Sequence, residues 1–431
     1  MRGVLAIPAF RRLWGITAVC AVGEWLSLLA LSALATQLAD GYQAASFALG
    51  GVVATKLLPS MLLGPLAGTL ADKLDRRRVM VTCDVLRAGL FLSIPLVGSL
   101  SWLFIAIFLI EICTMFWIPA KDASIPNLLH RPDQVETANQ LSLVMTYGVA
   151  VLTAAALFSA LSAGPALGQP ELLPGPAESA YVALFLNGLA YAASALIVAT
   201  RIPEISGRAA TAGASSPNLL AMLRDGFAFV GGTPLVRGLV TGVVGAFAAG
   251  GAVIACARPY ATSLGGGDAA YGLLFAAMFT GVGIGMVVAP WAAVRVRHRR
   301  LFGQAIVGAG LALLPVALAP HLAVALVAVA LVGCGAGIVL LTGLTIIGAQ
   351  VADSHRGRTI AFVQSIVRID LLASMAVVPV LVGLVGQRSV ALLGEPVVVD
   401  GTRLVLFGAG VVAALVGLAA YRQMDRTEAA S

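Results

Sequence analysis

Twelve apolar runs, each close to the length that crosses a bilayer, organise the sequence. An α-helix rises 1.5 Å per residue, so about 20 apolar residues cover the hydrocarbon core. The runs fall at 13–37, 44–71, 79–99, 101–119, 138–163, 180–200, 237–261, 271–294, 301–319, 322–350, 359–385 and 403–421. Gly98, Ser99 and Ser101 mark a tight turn between the third and fourth. Only 11% of the residues are charged and 59% are hydrophobic. A soluble domain carries about 25% charged residues, so most of this chain must face lipid or other helices. The expected fold is an all-α membrane protein with twelve transmembrane helices.

The placement of the charges orients it. The formal net charge is +7, but the cations sit between hydrophobic runs, so nucleic acid is not an expected partner. With the N-terminus inside, 21 of the 27 Lys and Arg fall on inner segments, and only Arg388 and Arg403 on outer ones. Cytoplasmic connections carry the excess of Lys and Arg. Both termini are therefore expected in the cytoplasm, in a cell (inner) membrane.

The longest inner connection divides the chain. Residues 207–217 (GRAATAGASSP) are small and polar and read as a flexible linker. The expected domains are a six-helix bundle over 1–200, a cytoplasmic linker over 201–236 and a second six-helix bundle over 237–431. The halves echo each other: DKLDRRR (72–78) follows the second run and RVRHRR (295–300) follows the eighth. Related halves are what alternating-access transporters show. Two pseudo-symmetric bundles are expected.

The connection after the second run reads Gly64-Pro-Leu-Ala-Gly68-Thr-Leu-Ala-Asp72-Lys73-Leu-Asp75-Arg76-Arg77-Arg78. Gly64 and Gly68 share one helix face and let a neighbouring helix approach closely. Asp72 sits at a helix end, where a carboxylate suits the positive N-terminus of another helix. This loop resembles the signature of the major facilitator superfamily, and with twelve runs divided six and six the resemblance covers nearly the whole chain. It implies the major facilitator fold, and an Asp72 that latches the cytoplasmic side against the eleventh helix. Where the family usually has Gly, this chain has Asp75. Asp tolerates the left-handed backbone expected at that turn, and its presence resembles the macrolide-efflux and siderophore-export branch of drug:proton antiporters. Two marks of drug antiporters are missing: the fourth run has no Arg, and the fifth has no internal Gly-Pro.

Ionisable groups at membrane depth cost about 2.5–3.5 kcal/mol or more and mark functional sites. Glu24, Lys56, Glu111, Arg368 and Asp370 lie near the middles of runs one, two, four and eleven. Glu24 is expected to pair with Lys56, and the carboxylate left over to exchange protons. Glu24 is the first candidate for this, Glu111 the second and Asp370 the third; the competing reading is a set of structural ion pairs. Asp84 and Arg87, near the start of run three, are three apart on one face and are expected to pair with each other or with the basic loop, in a structural role. Tyr147 is expected to pack, with a place on a cavity wall as the alternative.

Other chemistries are not indicated. The five cysteines form no C-x-x-C and the four histidines no cluster, so no metal or cofactor is expected. Gly281-Val-Gly283-Ile-Gly285 and Gly333-Cys-Gly335-Ala-Gly337 lie inside apolar runs, so they indicate close helix packing and not a nucleotide loop. The first run has no cleavage pattern of a signal peptide. The expected function is a secondary active transporter, acting as a monomer, that exports an amphipathic small molecule by proton antiport. The alternative is a lysophospholipid transporter between leaflets.

Overall fold

The computed structural model describes residues 2–71, 74–129, 132–163, 178–205, 234–350, 363, 366–367, 369–370, 373–374, 377–392 and 395–429. Short α1 (Arg2–Leu5) precedes α2 (Pro8–Gln37), which opens with a proline where its missing N–H costs nothing. Then come α3 (Gly41–Ala71), α4 (Arg76–Val97) and α5 (Leu100–Leu128). A π-helical turn, Met145–Val149, joins α6 (Pro132–Val144) to α7 (Ala150–Ala163). α8 (Glu178–Arg201) is followed by α9 (Pro234–Ser263), α10 (Gly267–Arg295), α11 (His298–Leu318) and α12 (Leu322–Gln350). α13 (Gly401–Ala429) closes the chain.

Ten of the described helices are long and apolar enough to cross a membrane. They match the expected runs except the second and eleventh. The second falls on α3, a continuous helix of 31 residues. The eleventh falls on a stretch described only in part, and Arg368 lies outside the described residues.

Three local expectations change. The connection before α13 contains an antiparallel hairpin, β1 (Gln387–Leu392) with β2 (Glu395–Asp400). Helix α5 runs nine residues beyond the apolar run that ended at 119, because its last turns are polar but still helical. Asp75 is not left-handed: its φ is −68° and ψ 119°, and its carboxylate accepts from the Arg78 backbone N–H at 2.9 Å. It is the N-cap of α4, and the preference of a carboxylate for free N–H groups at a helix start explains it. At the other end of α4, Gly98 takes the left-handed conformation (φ 60°) and ends the helix.

The chain forms two compact units. Unit 1 comprises Met1–Asp40 and Gly51–Ser216, and unit 2 comprises Gly41–Gly50 and Pro217–Ser431. In unit 1, α2 and α4 both pack on α8, and α5 packs on α4. Phe10, Met80, Trp117 and Ile202 belong to a buried apolar cluster there. The carbonyl end of α8 is tied by arginines from two other helices. Arg77 of α4 donates to the carbonyls of Val198 and Ala199, and Arg12 of α2 to that of Arg201 at 2.9 Å. Cations belong at the negative end of a helix dipole.

In unit 2, α10 lies against α12 and α11 against α13. The two glycine runs face each other. A Cβ at Gly281 would sit 2.0 Å from the Ala330 carbonyl oxygen, one at Gly285 2.0 Å from that of Cys334, and one at Gly333 2.0 Å from that of Met278. Only glycine permits this approach of two backbones. Trp291 and Val294 point outward from α10, as a lipid-facing surface requires.

Candidate functional site

The site lies in unit 1, where α2, α4, α5 and α8 each bring a polar face inward. On α2, Cys20, Glu24 and Ser27 follow helical spacing; on α4, Asp84, Arg87 and Phe91 do so; on α8, Asn187, Tyr191 and Ser194. Asp84 and Arg87 are the ninth and twelfth residues of the 22 in α4, so they lie at its middle and not near the start of a span.

Arg87 is the centre of the arrangement. Its side chain is 2% exposed and that of Asp84 is wholly buried. Arg87 Nη2 donates to Asp84 Oδ1 at 2.5 Å, and the other Asp84 oxygen accepts from Ser194 Oγ at 2.7 Å. The guanidinium lies between two rings, 4.2 Å from the centroid of Tyr191 and 4.9 Å from that of Trp117. Such faces attract a desolvated cation. Tyr191 is itself stacked on Phe91, with centroids 5.7 Å apart and planes 3° from parallel. Arg87 Nη1 also reaches to 3.6 Å from Glu24 Oε1.

Glu24 differs from Asp84 in access. Its side chain is 40% exposed, and Oε1 accepts from Tyr191 OH at 2.6 Å. The expected Glu24–Lys56 pair is not formed. Lys56 Nζ instead lies 2.5 Å from Glu111 Oε1 of α5, and equal depth in the membrane did not determine which carboxylate it faces. Among the described residues of unit 1, these groups at membrane depth are three acids (Glu24, Asp84, Glu111) and two bases (Lys56, Arg87). Each base has a near partner, and Glu24 is the carboxylate left over.

Glu24 opens onto a cavity of about 380 Å³. Trp25, Lys56, Trp117, Lys121, Tyr147 and Tyr191 contribute to its wall. Tyr147, expected to pack, is 57% exposed and stands on the π turn, edge-on to Trp25 at 6.4 Å. Trp25 Nε1 donates to the Thr146 carbonyl of that turn at 2.8 Å. Lys121 is paired with Asp122 at 2.8 Å. The wall thus offers aromatic faces beside one accessible carboxylate.

The remaining candidates are dispersed. Asp72 and Lys73 lie outside the described residues; Gly64 and Gly68 are on helical backbone of α3; Arg76, Arg77 and Arg78 open α4. Asp370 belongs to unit 2, where its Oδ2 is buried with no partner among the described residues. Tyr191, Ser194 and Trp117 are site residues beyond the sequence candidates. The signal for the first two was present: Asn187, Tyr191 and Ser194 recur at spacings of four and three in an otherwise apolar run.

The sequence profile of the family described as transmembrane secretion effector, a division of the major facilitator superfamily, matches residues 3–429. The chain belongs to this family. It is a multi-pass membrane transporter of the major facilitator fold. The MFS-type transporter YfiS of Bacillus subtilis (strain 168) is 25% identical over 244 residues, 55% of this chain and 54% of YfiS. BacE of Bacillus amyloliquefaciens, named "Putative bacilysin exporter", is 29% identical over 180 residues, 41% of this chain and 40% of BacE. The matched stretches span about half of these relatives or less. Among solved structures, the nucleoside transporter NupG superposes with a TM-score of 0.71 at 13% identity, covering 96% of this chain and 99% of that one. A bacterial homolog of the human lysosomal transporter Spinster, inward-facing and unoccupied, gives 0.71 at 16% identity, covering 97% and 98%. At these identities the likeness is one of fold.

Proposed function

We propose that this family member is a secondary active exporter of an amphipathic small molecule, driven by proton antiport through alternating access. The observation that carries the reading is Glu24: a carboxylate at membrane depth, half-exposed on the wall of a 380 Å³ cavity, and in excess of the local bases. A carboxylate that opens onto the cavity and exceeds the bases around it is placed to exchange a proton with solvent there. Trp25 and Tyr147 beside it suit the apolar part of a substrate, and the carboxylate suits a polar or cationic part. Export is supported by the name of the relative BacE. The cation distribution supports an inner-membrane protein with both termini cytoplasmic, in which Asp72 and the Arg76–Arg78 run act as the cytoplasmic latch. The domain division expected at 201–236 and a monomeric working unit belong to the same proposal.

The test uses purified protein in liposomes with an imposed pH gradient and a panel of fluorescent amphipathic amines. Wild type accumulates a substrate against its gradient. Glu24→Gln, which resembles the protonated acid, keeps exchange at equal concentrations but loses accumulation. Accumulation by Glu24→Gln driven by the pH gradient would remove Glu24 from the coupling role. Gradient-independent movement of lysophospholipid by wild type, without accumulation of any amine, would favour the lipid transporter.

A further inference from the structure

The pairing of Arg87 with two carboxylates of unequal access goes beyond the proton-carrying role of Glu24. Asp84 holds the guanidinium at 2.5 Å and is wholly buried; Glu24 stands 3.6 Å away and is 40% exposed. Both carboxylates also receive a hydroxyl from one helix, α8: Tyr191 donates to Glu24 at 2.6 Å and Ser194 to Asp84 at 2.7 Å. The rings of Tyr191 and Trp117 confine the guanidinium between them. Arg87 Nε has no hydrogen-bond partner among the described residues, so the cation is not fully claimed by Asp84.

We propose that Asp84 and Glu24 compete for the single guanidinium of Arg87, and that Tyr191 and Ser194 are positioning residues that set the outcome. The inference rests on Glu24 being the group that exchanges protons. With Glu24 ionised, the trio carries a charge of one minus, and α2 is drawn toward α4 through Arg87. When a proton from the water of the cavity bonds to a Glu24 oxygen, the trio becomes neutral and Arg87 belongs to Asp84 alone. The ionic tie between α2 and α4 is then released, and only hydrogen bonding to α8 remains. Protonation thereby changes the force between helices and not merely the charge of one side chain.

Other titratable groups also face Glu24 across the cavity. On α2 itself the nearest titratable neighbour is Cys20, one turn away and buried. Lys56 from α3 shares the cavity with Glu24 and is held by Glu111 of α5 at 2.5 Å, and Lys121 of α5 is held by Asp122 at 2.8 Å, so each of these cations has a nearer carboxylate than Glu24. The π turn brings Tyr147, and α7 brings no titratable side chain.

A substrate is not needed for the test. The full-length protein in lipid is titrated by infrared spectroscopy, following the C=O band of a protonated carboxylic acid. The part of that band lost in Glu24→Gln reports Glu24. A hydroxyl donated to a carboxylate favours its ionised form. Tyr191→Phe keeps the ring but removes that donor, so Glu24 should titrate about one pH unit higher, a tenfold change in proton affinity. Asp84→Asn removes the competitor and leaves Arg87 to Glu24, so the titration should move the opposite way. Tyr191→Phe reads the hydroxyl alone; if Asp84→Asn is recovered in low yield, Ser194→Ala, which removes the donor to Asp84 and so tightens its hold on Arg87, should raise the Glu24 titration and reads the competition instead. Wild-type titration in Tyr191→Phe, or no band that depends on Glu24, would overturn the proposal. Gradient-driven accumulation by Glu24→Gln is a separate failure, that of the coupling role itself.

Discussion

Arg87 shows what depth along a helix can and cannot reveal. Its place at the middle of α4 follows from where that helix begins, and Asp75 fixes the beginning. The carboxylate that accepts from Arg78 N–H starts the helix at Arg76, so the basic run is its first turn and Arg87 lies about 17 Å further on at 1.5 Å per residue. Read as part of the loop, that run hides the depth of Asp84 and Arg87. Asp75→Ala should therefore weaken the start of α4 by about 1 kcal/mol. Asp75→Asn keeps the acceptor and should lose much less. Thermal unfolding of the two variants in detergent checks this; equal losses would mean that the cap does not matter. Glu24, Lys56 and Glu111 were legible because an ionisable group in an apolar run is conspicuous. Their pairing was not, because depth says nothing about which way a side chain faces around the helix, and so Lys56 was assigned to the wrong carboxylate.

At the scale of elements, the apolar runs were legible as helices because length alone decides what can span a membrane. The π turn at Met145–Val149 was not, since nothing in MTYGV distinguishes it from ordinary helix. It presents the Thr146 carbonyl to Trp25 and Tyr147 to the cavity. π turns inside helices are frequent at functional sites. The glycine runs of α10 and α12 were legible as contacts, and the structure separates glycines that matter from those that do not. Gly285→Ala would push a Cβ to 2.0 Å from a backbone carbonyl of α12, whereas Gly283 has nothing within 4 Å. Gly285→Ala should destabilise by about 1–3 kcal/mol through overpacking, and Gly283→Ala should be close to neutral. The same unfolding measurement on both variants would contradict the packing argument if they behaved alike.

At the scale of the molecule, the fold was legible because three independent features agreed: the twelve runs, the 21 inner cations and the loop around Asp72. The match of the secretion effector family over residues 3–429 and the superpositions at TM-scores of 0.71 point the same way. Substrate and coupling are less legible, because they depend on the shape of a cavity and on which charges share it. Glu24, Arg87 and Tyr191 come from three helices far apart in sequence, and no spacing rule connects them. Proton antiport requires that substrate and proton cross in opposite directions in the same cycle. Protein is reconstituted in liposomes that contain a pH-sensitive dye, and a transported amine is added outside with no initial pH gradient. Wild type should make the lumen more alkaline as the amine enters, and Glu24→Gln should not, although the amine still equilibrates. Entry of the amine with an unchanged lumenal pH in wild type, or an equal pH change in Glu24→Gln, would contradict proton exchange at Glu24.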